Sequence, residues 1–230
     1  MDFIELAEGL WAFEQIFVMP PGLHLPTRSH VVRLPSGELL IVSPIPELTQ
    51  AKTKIDALGE VRALIAHTSF HHLGLAAAAE AWPEATVYGI PELAKKRPDL
   101  TFHETLGAAP EPLWAGVLDQ HLVLGAPKLG EVVFFHRPSK TLILGDLAFN
   151  VPRPDAWLTR VVFTLTGSHG HFGPSRLVRR MIKDWTACAA SVRAMLAWAP
   201  ERVVMAHGLP VETRAAEALR QAFAFLEPGR

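Results

Sequence analysis

The stretch VRALIAHTSFHHLG, residues 61–74, decides how the chain reads. Its first part, Val61 to Ala66, is apolar to its end, as a strand buried on both faces must be. Polar residues then arrive together: His67, Ser69, His71 and His72, ahead of a glycine and an alanine-rich helix expected over 73–81. Residues that follow a buried strand lie at the edge of its sheet, where layered α/β folds gather their sites. His67, Ser69 and His71 alternate at i, i+2 and i+4. An extended loop would point those three one way and His72 another.

Two later strands end in the same manner. TLILGD (141–146) delivers Asp146, and RVVMAH (202–207) delivers His207. Imidazole and carboxylate groups are the usual ligands of zinc, iron and manganese. The pattern therefore points to a metal site built from strand ends.

Further strands are expected at 10–19, at 86–89, at 121–126 and 131–137, and at 30–35 and 38–43, the last two as a hairpin around Ser36-Gly37. Helices are expected over 46–58, 91–96, 175–198 and 211–226, where apolar residues recur at helical spacing. Pro20–Pro26, 98–120 and 150–175 read as loops. Strands and helices alternate in two halves of similar design with no linker between them. One domain over 1–230 is the expectation, with two packed sheets and outer helices.

The composition narrows the function. Lys and Arg number 22 against 23 Asp and Glu, so the basic excess of a general nucleic-acid binder is missing. No basic amphipathic helix stands out, and no apolar run is long enough to span a bilayer, so no membrane contact is expected. The N-terminus lacks a signal peptide's basic start. A single cysteine, Cys188, excludes a disulfide framework and a Cys-rich zinc site, and reads as a core residue. A cytoplasmic location is the default expectation. Oligomeric state is open.

The order of these segments resembles the metallo-β-lactamase superfamily. That family carries H-x-H-x-D-H before its first long helix, where this chain has His67-Thr68-Ser69-Phe70-His71-His72. Its later Gly-Asp and His-Gly strand ends are matched by Gly145-Asp146 and His207-Gly208. The likeness is greatest to a poorly characterised divergent branch, on the run FFHRPSKTLILGDLAFN (134–150). The resemblance implies a four-layer αββα sandwich of the α/β class.

The departures are as informative. Ser69 stands for the second histidine and His71 for the aspartate. The histidine of the family's Gly-His-Thr segment is lost near Pro127 and Lys128. Ser43 stands where many members have a supporting aspartate. Of the two metal positions the family uses, the first keeps only His67. The second keeps four donors: His71, His72, Asp146 and His207. The resemblance thus implies one divalent metal, zinc first, with iron or manganese as alternatives.

Two functions follow. One is a metal-dependent hydrolase acting on a small-molecule ester, lactone, thioester or phosphodiester, with His67, Ser69 and Asp146 as its catalytic residues. The other is a catalytically inactive descendant of the fold that binds a ligand or a protein. His136, His169 and His171 are left without a decided role, and Arg176, Arg179, Arg180 and Lys183 form a basic stripe on the expected helix 175–198.

Overall fold

The computed structural model describes residues 2–227. They form two compact units. One comprises the residues up to Gln15 together with Thr27–Gly107; the other comprises Ile16–Pro26 together with the chain from Ala108 onward.

The first unit is built on a seven-stranded sheet whose order follows the sequence: β1 (Asp2–Ala7), β2 (Leu10–Met19), β3 (Leu23–Arg33), β4 (Leu39–Val42), β5 (Val61–Ala66), β6 (Thr86–Gly89) and β7 (Glu104–Thr105). β1 and β2 pair antiparallel, as do β3 and β4. From β4 to β7 the pairing is parallel. Parallel neighbours need crossovers, and three short helices lie on them: α1 (Lys52–Asp56), α2 (Leu75–Ala81) and α3 (Pro91–Lys96). The central strands are apolar on both faces: Leu40, Ile41 and Val42 lie in register with Ala63, Leu64 and Ile65, and all six are fully buried.

β5 and β6 fall where the sequence places them. The loop expected over Pro20–Pro26 does not, because β3 already starts at Leu23 and runs through Pro26. A proline's fixed φ suits an extended chain, and its carbonyl remains free to accept.

The second unit holds a four-stranded sheet ordered β11-β10-β9-β8, from β8 (Leu118–Leu122), β9 (Val132–His136), β10 (Thr141–Leu144) and β11 (Arg202–Met205). Only β10 and β11 run parallel. Alternate strand residues Val133, Phe135, Leu142, Leu144, Val203 and Met205 make one core with residues from α5 (Arg176–Met181), α6 (Trp185–Ala197) and α7 (Ala215–Ala222). Each large apolar side chain buried there contributes roughly 1.5–3 kcal/mol. Cys188 is fully buried in this core, and burial pushes its thiol up to about 11, so it is a packing residue.

Two expectations fail here. The helix expected over 175–198 is two helices. The Gly125 carbonyl accepts from the backbone N–H groups of Lys183 and Asp184, and the Asp184 side chain caps α6 by accepting from the Ala187 N–H. Apolar spacing carries on across such a break, so periodicity does not reveal it. The loop expected over 150–175 contains α4 (Trp157–Thr166), which ends on Gly167 in a left-handed conformation. Its β-branched run VVFTLT has low helix propensity.

Candidate metal centre

In the first unit, β5 delivers His67 and Thr68, both fully buried, and the nearly buried Ser69. The loop beyond them is curled. The Thr68 hydroxyl accepts from the backbone N–H groups of Phe70 and His71, each at 3.1 Å. Gly74 closes the loop against residues 44–45. A Cβ there would lie 2.3 Å from the Ile45 carbonyl oxygen, so only glycine fits.

The end of α3 brings two cations to this loop. Lys96 donates to the Ser69 carbonyl at 2.7 Å and lies over the Phe70 ring. Arg97, clamped on the Asp99 carboxylate, donates to His72 Nδ1 at 2.8 Å. A guanidinium only donates, so Nδ1 accepts, and the neutral ring carries its proton on Nε2. No ring lone pair is left for a metal. Burial, then the charges of Lys96 and Arg97, hold the His72 pKa below its ordinary value, which keeps the ring neutral. His72, expected as a ligand, is thus engaged as an acceptor. His71 is half-buried.

A residue the sequence reading passed over sits beside these histidines. His30, on β3, is fully buried, and neither ring nitrogen has a hydrogen-bond partner among the described residues. Burial first, then Arg28, His67 and His71, hold its pKa well below the ordinary value. The Oγ of buried Ser43, the residue after the Val42 that pairs with His30, is likewise without a partner among the described residues. The only signal in the sequence was a lone imidazole opening the apolar run HVV.

In the second unit, β10 ends at Leu144 and the turn Gly145-Asp146-Leu147 follows. All three backbone N–H groups of that turn donate to the carboxylate of fully buried Glu131, at 2.7–2.8 Å. Burial and then the Asp146 carboxylate push the Glu131 pKa up to about 8, against the pull of the three donors. Glu131 is the second residue the sequence reading missed. In the sequence it is a lone acid ahead of the apolar run VVFF.

His207 follows β11. Its ring stacks on Phe149 with centroids 5.2 Å apart and 5° between planes. Gly208 next to it has φ +98°, and a Cβ there would lie 2.0 Å from the Asn150 carbonyl oxygen. The close approach lets Asn150 N–H donate to the His207 carbonyl and Leu209 N–H donate to that of Asn150. His207 Nδ1 lies 2.7 Å from the Pro26 carbonyl, at the far end of the β2–β3 hairpin. A carbonyl only accepts, so Nδ1 carries the proton. Nε2 then faces Asp146 Oδ1 at 3.2 Å. Both residues are nearly buried, at 4% and 7% exposure. A ring lone pair and a carboxylate oxygen at this distance call for a cation between them, either a proton or a metal. The donor set therefore fits a divalent metal.

His136, His169 and His171 have other uses. His136 is buried at the opposite end of its strand pair, where it pairs with Thr141 and bonds the Ser139 hydroxyl at 2.7 Å. Burial takes its pKa down to about 4. His169 bonds the Thr164 hydroxyl, and His171 donates to the His169 carbonyl, so both serve the loop after α4.

Comparison with known proteins adds the following. Residues 7–95 match a family model described as "Domain of unknown function (DUF4336)". No curated protein matches the sequence. Solved structures do match along the whole chain. The DIM-1 metallo-β-lactamase exposed to ceftazidime aligns at 13% identity and a TM-score of 0.69, over 98% of this chain and 97% of its own. A metallo-β-lactamase from Hirschia baltica aligns at 15% and 0.67, over 100% and 99%. The FIM-1 metallo-β-lactamase of Pseudomonas aeruginosa in its mono-zinc form aligns at 14% and 0.68, over 98% and 93%. The chain has the metallo-β-lactamase fold.

Proposed function

We propose that the protein is a metal-dependent hydrolase holding one divalent metal per chain, with zinc the first candidate and iron or manganese the alternatives. The observation that carries this reading is the orientation of His207: with Nδ1 committed to the Pro26 carbonyl, Nε2 is turned to the Asp146 carboxylate at 3.2 Å, where a proton or a metal lies between them. His71, which offers one imidazole nitrogen, is the proposed third ligand. Three protein ligands with an open fourth position are what catalytic zinc sites use. A neighbour described in a mono-zinc form supports the single-metal reading.

When bound, such a metal supplies Lewis acidity toward a carbonyl or phosphoryl oxygen and lowers the pKa of an attacking water. The chain's own part is to fix the geometry. Glu131 holds the turn that carries Asp146, while Phe149 and Pro26 hold the His207 ring. His67 is proposed to carry a proton and Ser69 to donate a hydrogen bond to substrate. The substrate class is a small ester, thioester, lactone or phosphodiester. A cytoplasmic setting is proposed on the single, buried thiol.

A second reading, a non-catalytic binding module, is favoured by the loop 67–72, where Arg97 and Lys96 spend His72 and the Ser69 carbonyl on structural bonds. Metal content by plasma mass spectrometry on tag-free protein tests the choice. About one metal per chain, with turnover of an ester or phosphodiester, is the expected result. Folded protein without stoichiometric metal overturns the hydrolase reading in favour of the binding module.

A further inference from the structure

α4 leaves and rejoins its unit beside His207: Asn150 pairs with Gly208 before the helix, and Val151 pairs with His169 after it. One side of the helix is anchored. Thr159 and Phe163 are buried, and the Thr159 hydroxyl accepts from the backbone N–H of His24 in the hairpin. The other side is apolar and open. Trp157, Val161 and Leu165 are 76%, 45% and 67% exposed. At i, i+4 and i+8 they drift by only about 40° per step, so they form one stripe.

Cations flank this stripe along the sequence. Arg160 lies on the same helix, about 60° from Trp157 by the helical repeat. The Arg176 guanidinium donates to the Leu165 carbonyl at the helix end. Arg153, Arg179, Arg180 and Lys183 are exposed as well, beside the exposed Leu177 and Trp185. The stretch 151–185 thus carries six Lys and Arg, against only Asp155 and Asp184. Asp155 is paired with His24, and Asp184 caps α6. A chain of net charge −1 thus carries a net charge of +4 over the stretch that contains this helix, six cations against two acids.

An apolar stripe opened by a tryptophan and fringed with arginine is the chemistry of a lipid–water interface with anionic headgroups. We propose that α4, with its fringe of Arg153, Arg160 and Arg176, docks the protein on an anionic lipid bilayer. From the sequence no membrane contact is expected, and residues 150–175 read there as a loop.

Cosedimentation of the full chain with vesicles tests the proposal. Vesicles of phosphatidylcholine mixed with phosphatidylglycerol are expected to bind at least about tenfold more protein than phosphatidylcholine alone, and added salt should release it. The double variant Trp157→Ser/Leu165→Ser should bind at least about tenfold less. Arg160→Gln should weaken binding and flatten its salt dependence. All three residues are exposed, and unchanged thermal melting confirms that the variants fold. No binding to the anionic vesicles overturns the proposal, as does binding that the double variant leaves intact. A loss matched by Arg193→Gln, an exposed cation on α6, would indicate unspecific charge and overturn it too. So would a doubling of mass by light scattering that Leu165→Ser abolishes, because the stripe would then be covered by a second copy.

Discussion

His72 and His207 both come after the C-terminal ends of strands, β5 and β11, and both are nearly buried, yet their neighbours give them opposite chemistry. Arg97 donates to Nδ1 of His72; the Pro26 carbonyl accepts from Nδ1 of His207. The first ring is left with an N–H on Nε2; the second turns Nε2 to the Asp146 carboxylate, where a proton or a metal lies between them. Whether a histidine can hold a metal is thus set by the group behind it, and in each case that group is far away in the sequence.

The sharpest way to break the contrast is to remove each ring. His207→Ala is expected to lower metal affinity more than about 100-fold, beyond the effect of an outer-sphere change, whereas His72→Ala should leave the metal content near wild type. Plasma mass spectrometry after dialysis reads both. Loss of metal in both variants would return His72 to the ligand set. Next in size is the support behind Asp146. Glu131→Ala strips the acceptor from three buried N–H groups and should cost about 4 kcal/mol in urea unfolding. A cost near zero would mean that water takes over from the carboxylate.

A third test is pH. His136 titrates at about 4 when folded and near 6.5 when unfolded, so between those values the unfolded chain binds more protons. Stability should therefore be full above pH 6.5 and fall as the pH drops toward 4, by up to about 3 kcal/mol from this residue. His136→Gln should flatten that part of the curve in denaturant titrations. The smallest effect is expected at the first unit's cation. Arg97→Met should cost about 1 kcal/mol or less, and the His72 pKa should rise once the neighbouring charge is gone. Nitrogen NMR of the imidazole should then show the His72 tautomers mixing, while those of His207 stay fixed.

The sequence made the frame legible because the frame rests on local pattern. Val61–Ala66 and Thr86–Gly89 are apolar runs of strand length, and the structure places both strands there. The arrival of polar residues straight after β5, β10 and β11 also followed from local order. The chemistry of those residues did not. Glu131, Pro26 and Arg97 act across separations of 15, 181 and 25 residues. Nothing in EVVFF, LHLPT or KKRPD announces a partner. α4 escaped for a different reason: β-branched residues obscure a helix that its tertiary bonds and its glycine stop hold in place.

The β2–β3 hairpin has a practical consequence. Its outer parts, 10–15 and 27–33, lie in one unit, and its tip, Ile16–Pro26, belongs to the other. A gene cut between codons 107 and 108 would therefore not yield two self-sufficient pieces. The carbonyl of Pro26, which orients the His207 ring, would travel with the amino-terminal fragment and the imidazole with the carboxyl-terminal one. On the proposed metal reading, reassembly of the two halves would restore metal uptake, which makes position 107/108 a natural place to build a split reporter.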